Sequence, residues 1–265
     1  MGALKRILMV CLVCVTAVAT QAQNAVAASA HTYVFLLAGQ SNMAGRGKPQ
    51  LQDTTAVSNI YMLNAAMQWV PAREPLHFDK PATVGVGPGF AFAREIMRKD
   101  QQAIIYLIPA AVGGSKIDLW LPGAYDSVTR SYPYDNALKR AKKGQAIAPI
   151  SAILWHQGES DSRPDRCDAY QQKLTALIQQ FRSDLQQPDL LFLPAQLTYF
   201  TAERTISKQK VNAAIAQVCK AVPYCSLVKS NKLTHLGDTL HYSTPSANLL
   251  GIRYAKTYRK AAHKQ

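Results

Sequence analysis

The chain alternates short apolar runs with longer stretches in which apolar residues recur every three or four positions. The short runs Tyr33–Ala38, Ile104–Pro109, Ala152–His156, Leu190–Ala195 and Ser226–Lys229 predict strands, and Ile60–Leu63 is a shorter candidate. The longer stretches Pro88–Arg98, Tyr134–Gly144, Asp168–Leu185, Ala202–Cys219 and Thr244–Ala262 predict helices. In Asp168–Leu185, the residues Tyr170, Leu174, Leu177, Ile178 and Phe181 fall at helical spacing. Thr244-Pro245 reads as an N-cap followed by proline in the first turn. Strands that are apolar throughout, each followed by a helix, suit a parallel sheet covered on both faces. The expectation is one three-layer α/β domain over 31–265 with a mainly parallel five-stranded sheet. The regions Gly45–Gly87 and Gly113–Tyr132 read as loops. In open parallel sheets, sites form beyond the carboxyl ends of strands, where such loops gather.

The first thirty residues stand apart. Lys5 and Arg6 form a basic start, Ile7–Ala19 is nearly all apolar, and Ala-x-Ala patterns follow at Ala25–Ala27 and Ala28–Ala30. This is the layout of a secretory signal peptide over 1–30, cut between Ala22 and Ala30. The apolar run is short of the roughly 20 residues a bilayer span needs. The expectation is a secreted or periplasmic protein with no stable membrane insertion after cleavage. Removing the segment takes away Lys5 and Arg6 and no acid, which lowers the formal charge from +14 to +12. The remaining cations are scattered, and no aromatic stacking platform interleaves with them. That argues for a solvated basic face suited to anionic polysaccharide or envelope surfaces, and against a nucleic-acid partner. Of the five cysteines, Cys167, Cys219 and Cys225 lie beyond the leader. Cys219 and Cys225 close a short loop around Pro223, which permits a disulfide in an oxidising compartment. No Cys-x-x-Cys pair and no metal-ligand spacing of histidines occurs, so no metal or other cofactor is expected.

Four short segments carry the chemistry. "GQSNM" follows the first strand, "AAVGGS" follows Ile104–Pro109, "WHQGESD" overlaps the end of Ala152–His156, and "GDTLHYS" precedes the last helix. A parallel sheet would bring all four to one edge, which is what nucleophilic catalysis needs. Serine is a weak nucleophile until a base takes its proton, and His241 is the best candidate base for Ser41. Asp238, three residues before it, can hold the imidazole in the useful tautomer through one tight turn. The backbone N–H groups of Ser41 and Gly114, with a side-chain amide, are candidate oxyanion donors.

Together, "GQSN", "GGS", "HQGESD" and "DTLH" resemble the motifs of the SGNH-type hydrolases. More narrowly, they resemble the carbohydrate-esterase branch that holds family 6 acetylxylan esterases and sialate O-acetylesterases. The resemblance runs from Phe35 to about Tyr242. It implies a flavodoxin-like fold and a metal-free serine esterase that removes acetyl groups from poly- or oligosaccharides. It implies Ser41 as nucleophile, His241 as base, Asp238 as orienting acid and Gly114 as second oxyanion donor. Gln157 stands where the wider superfamily has asparagine and would supply the amide. Glu159 of "HQGE" is an alternative or assisting acid. "GGSKIDLW" departs from the branch's frequent "GGTSI-x-x-W" and places the charge of Lys116 near the site.

Substrate contacts are expected from Gln40, Lys116 and Trp120, the last as a sugar-stacking ring set against a default packing role. Asn42 reads as a loop brace or a substrate contact. His156 is a substrate contact or a hydrogen-bonded strand residue. Two further readings stay open: a lipid or thioester hydrolase on the same scaffold, and a carbohydrate-binding protein with a lapsed active site.

Overall fold

The computed structural model describes residues 31–201 and 205–263; the expected leader at 1–30 lies outside them. Six strands form one sheet: β1 (Thr32–Gly39), β2 (Ile60–Leu63), β3 (Trp69–Pro71), β4 (Ile104–Pro109), β5 (Ile150–His156) and β6 (Phe192–Pro194). Their order is β3-β2-β4-β1-β5-β6, and every pairing is parallel except β2 with β3. The helices are α1 (Ser41–Ala44), α2 (Leu51–Thr54), α3 (Pro88–Lys99), α4 (Pro133–Gln145), α5 (Tyr170–Asp184), α6 (Thr205–Ala221) and α7 (Thr244–Ala262).

The central strand shows why the layers form. Phe35 and Leu37 point into the core beneath α3 and α7, while Val34, Leu36 and Ala38 point into the core beneath α4, α5 and α6. Side chains alternate along a strand, so a strand apolar at every position needs a cover on both faces. On the α3–α7 side, Phe35 meets Phe92 and Tyr258 edge to face, with centroids 4.6 and 4.9 Å apart. On the other side, Tyr134, Leu174, Ile178, Phe181, Val211 and Ile215 fill the layer.

The strand count differs from expectation in two places. β3 is an antiparallel edge strand of three residues, too short to show a period, turned back on β2 through Asn64–Gln68. The expected strand Ser226–Lys229 survives only as isolated bridges, Phe192 with Cys225 and Ala195 with Val228. Pro194 is the reason. Hydrogen bonds run from Ser226 N to Phe192 O and from Val228 N to Pro194 O. The rung that Pro194 would donate is missing, because proline has no N–H. Helix boundaries shift slightly. A 3-10 turn over Cys167–Ala169 precedes α5, and Ser243 rather than Thr244 caps α7. No helix among the described residues is long and apolar enough to cross a membrane.

One buried acid couples this frame to pH. Glu74 is pushed up to about 8 by burial, against hydrogen bonds from the Leu76 and Gly87 N–H groups and with Asp53 adding to the rise. Folded protein therefore keeps a proton that an unfolded chain releases near the ordinary value of 4.5. The stability from this site is full below that value and is lost as pH rises through about 8. Denaturant unfolding of Glu74→Gln should show a flatter dependence of stability on pH across that window than the wild type.

Candidate active site

β1 ends at Gly39, whose φ is +127°. A Cβ there would lie 2.1 Å from the His156 carbonyl oxygen at the end of β5. Only glycine allows this approach, and Gln40 N then donates to His156 O at 2.8 Å. The chain turns directly into α1, which begins with Ser41. Ser41 Oγ lies 3.0 Å from His241 Nε2, and His241 Nδ1 lies 2.5 Å from Asp238 Oδ2. Asp238 Oδ1 accepts the N–H groups of Leu240 and His241 at 3.0 and 2.8 Å. Burial raises the Asp238 carboxyl, but those N–H bonds and the imidazole outweigh it and hold it below the usual carboxylate range. A carboxylate, an imidazole and a hydroxyl in this order can move a proton from serine to histidine. His235 is built into the same turn and accepts the N–H groups of Gly237 and Thr239 on its Nδ1.

Gly114 has φ +86° and lines the same cleft as Ser41. Neither the Ser41 nor the Gly114 N–H has a hydrogen-bond partner among the described residues. The side-chain amide of Gln157 is placed differently from expectation. Gln157 is fully buried, and its Nε2 donates to Ser115 O at 3.0 Å and to Asp161 Oδ2 at 2.5 Å. Both amide protons are committed, so the group braces two loops and does not face the cleft. Gln40 borders the cleft instead. Its Oε1 accepts the Gly158 and Ser160 N–H groups, which leaves its own amide N–H groups uncommitted among the described residues.

Of the two roles left open for Trp120, His156 and Asn42, the structure shows the supporting one in each case. Trp120 is buried, stacked edge-on against Trp155 at 4.9 Å and donating to Ser115 Oγ, so no sugar ring reaches its face. His156 is fully buried, with Nε2 2.9 Å from the Tyr242 hydroxyl. Burial lowers its pKa against the opposing pull of Glu159, which favours a neutral brace. Asn42 is a brace too: it donates to Glu159 Oε1 at 2.6 Å and to Leu240 O, and it accepts the Tyr242 N–H. Glu159 thus reaches the His241 loop through Asn42, whereas Asp238 touches the imidazole itself.

The cleft measures about 870 Å³ and is lined by Arg46, Lys80, Lys116, Arg163 and Arg166, with Leu119, Val128, Leu236 and Leu240. Among the described residues its lining holds no aromatic ring other than His241. Lys80 went unnoticed in the sequence because it sits in the irregular region before α3. Its Nζ lies 3.8 Å from where a Cβ on Gly114 would be. Asp79 is a second such residue. Its Oδ2 accepts Arg46 Nη2 at 2.8 Å and the Gly113 N–H at 2.7 Å, while Arg46 Nη1 donates to Gly45 O. This buried ion pair ties the turn after Ser41 to the loop that presents Gly114.

A parallel sheet between helix layers, with serine, histidine and aspartate meeting at its carboxyl edge, defines a hydrolase of the SGNH type. The chain belongs to the carbohydrate esterase, sialic acid-specific acetylesterase family, whose profile matches residues 31–260. A probable carbohydrate esterase of Arabidopsis thaliana is 31% identical over 245 residues, 85% of this chain and 89% of the relative. The X-ray structure of that Arabidopsis protein superposes with a TM-score of 0.76 at 30% identity, over 87% of this chain and 98% of the other. The structure of NanS shares the fold at 16% identity, with a TM-score of 0.71 over 89% of this chain and 98% of that one. The protein is a carboxylic ester hydrolase of the carbohydrate esterase class.

The buried Arg46–Asp79 pair makes an asymmetric prediction. Asp79→Ala strands a buried guanidinium and should cost about 3–5 kcal/mol of unfolding free energy. The double variant Arg46→Leu/Asp79→Leu should cost less than Asp79→Ala alone, as read by urea denaturation.

Proposed function

We propose that the protein is an exported O-acetylesterase that deacetylates carbohydrates through an acyl-enzyme. One observation carries the reading: the unbroken contact from Asp238 through His241 to Ser41 Oγ. Ser41 Oγ attacks the acetyl carbonyl carbon as its proton passes to His241 Nε2. The oxyanion is held by the Ser41 and Gly114 N–H groups, with the Gln40 amide within the same cleft. When the tetrahedral intermediate collapses, His241 returns the proton to the departing sugar oxygen. Water, deprotonated by His241, then attacks the acetyl-serine and releases acetate. Asp238 stays ionised throughout and stabilises the imidazolium. Glu159 positions the His241 loop through Asn42.

The cleft also bears on which acetylated sugar enters. Lys80 has no ion-pair partner among the described residues. Lys116 Nζ lies 4.0 Å from Asp118, which Lys173 holds at 2.6 Å. Among the described residues, the five cations of the lining outnumber its three carboxylates, Asp126, Glu159 and Asp238, with Arg46 paired to Asp79 and Arg163 and Arg166 beside Asp165. This balance favours a sialate-type sugar acid over neutral acetylxylan, which would need an aromatic groove. Export rests on the leader-like segment Met1–Ala30; Cys219 and Cys225 are free thiols whose sulfurs lie 2.7 Å apart.

Ser41→Ala should lower turnover of 4-nitrophenyl acetate by about 10⁴-fold or more. Asp238→Asn should lower kcat by about 10²–10⁴-fold, since the imidazole loses its tautomer control. Glu159→Gln should lower it less than Asp238→Asn, and a larger loss would exchange the two roles. Rapid-quench mass spectrometry should find acetate on the peptide that holds Ser41. Acetate release from 9-O-acetyl sialic acid should exceed that from acetylated xylan, and the reverse order would overturn the sugar-acid reading. N-terminal sequencing of the mature protein should begin between Gln23 and His31.

A further inference from the structure

A second groove, of about 720 Å³, lies on the sheet edge beyond β6, between the end of α6, the segment Cys225–Asn231 and α7. It shares no residue with the catalytic cleft. Lys220, Lys229, Arg253, Lys256 and Lys260 line it, and among the described residues no carboxylate does. All four lysines are exposed. None of the five cations is in an ion pair among the described residues. Glu95, whose charge Lys256 feels, is held by Arg98 at 2.7 and 2.8 Å. Arg253 is fixed to the groove wall by donating to the Lys229 and Asn231 carbonyl oxygens at 3.2 and 2.7 Å.

The arrangement has a local cost. Arg253, Lys256 and Lys260 are spaced three and four residues apart on α7, so like charges share one stripe and destabilise the helix. Compensation of helix dipoles accounts for Lys220 and Lys260 in last turns. It does not account for Arg253 and Lys256 in the body of α7 or for Lys229 in a loop. Local conflicts that the rest of a fold does not offset mark functional surfaces.

We propose that this groove binds an acidic polysaccharide, holding the enzyme on an anionic glycan independently of the catalytic cleft. The lining decides among polyanions. Among the described residues it contains no tyrosine, phenylalanine or tryptophan, so it lacks the stacking platforms that single-stranded nucleic acid needs. It offers no exposed large apolar residue to enter a lipid surface. Ser226, Asn231 and Thr257 place hydroxyl and amide groups among the cations, and these can pair with sugar hydroxyls while the lysines meet carboxylates. Exposed charge pairs are screened by salt, so the binding weakens as ionic strength rises.

Titration calorimetry with polygalacturonate tests this on the mature chain. The triple variant Lys229→Ala/Lys256→Ala/Lys260→Ala should bind about ten-fold or more weakly, with a shallower salt dependence. The triple variant Lys139→Ala/Lys142→Ala/Lys143→Ala on α4 removes the same charge elsewhere and should bind like wild type. Both should hydrolyse 4-nitrophenyl acetate at the wild-type rate. If no form of the protein hydrolyses the ester, the esterase mechanism fails while the binding result still stands or falls by itself. Equal weakening in both triples would reduce the effect to net charge and overturn the proposal. So would no binding to polygalacturonate, or tighter binding to anionic vesicles or single-stranded DNA than to the polysaccharide.

Discussion

No side chain fits at Gly39. The His156 carbonyl oxygen would stand 2.1 Å from its Cβ, closer than any carbon and oxygen can approach without bonding. That steric fact sets the site. It lets the end of the central strand close onto β5, so the chain can turn into α1 within two residues. Ser41 is then delivered beside segments that follow three other elements. Parallel pairing of β1 with both β4 and β5 puts their carboxyl ends in register, and Gly114 and Glu159 arrive at the same edge.

Around the reacting groups lies a layer of buried polar side chains that work on each other. Gln157, Asp161, Tyr170 and Ser115 bind the loop after β4 to the loop after β5. Asn42, Glu159, His156 and Tyr242 bind the turn after β1 to the segment that carries His241. Arg46 and Asp79 close the third side. Buried polar groups are expensive unless paired, so such networks hold one geometry and resist others. The cleft proper stays open, basic and partly apolar, and the few groups free to act on an ester are those without another partner.

The periodicity made the layers legible. Strands apolar at every position meant two covered faces, and helical spacing identified the helices that cover them. The order of the four motifs was equally legible, because each is a short stretch of contiguous chain next to an element that could be recognised. Asp238 and His241 are three residues apart, so their contact is local and follows from a single turn. Misreadings came where a neighbour in space decides. The residues Ser226–Lys229 have strand character, but Pro194 on the adjacent strand β6 withholds a donor. Trp120 has the right kind of side chain for a sugar, but it is buried against Trp155.

The sequence by itself determined which residues can do chemistry and roughly where along the fold they stand. Residue type and periodicity are properties of the chain alone. The tertiary structure decided which polar groups are already satisfied. Gln40 and Gln157 are the same amide in motifs of similar appearance, yet one has its protons committed inside the protein and the other faces the cleft. Asp79 and Lys80 sit in a stretch with no period, and only folding places one under Gly113 and the other above Gly114. Hydrogen bonding saturates, so the use of each group depends on partners far away in the chain, 118 and 120 residues for Gln40.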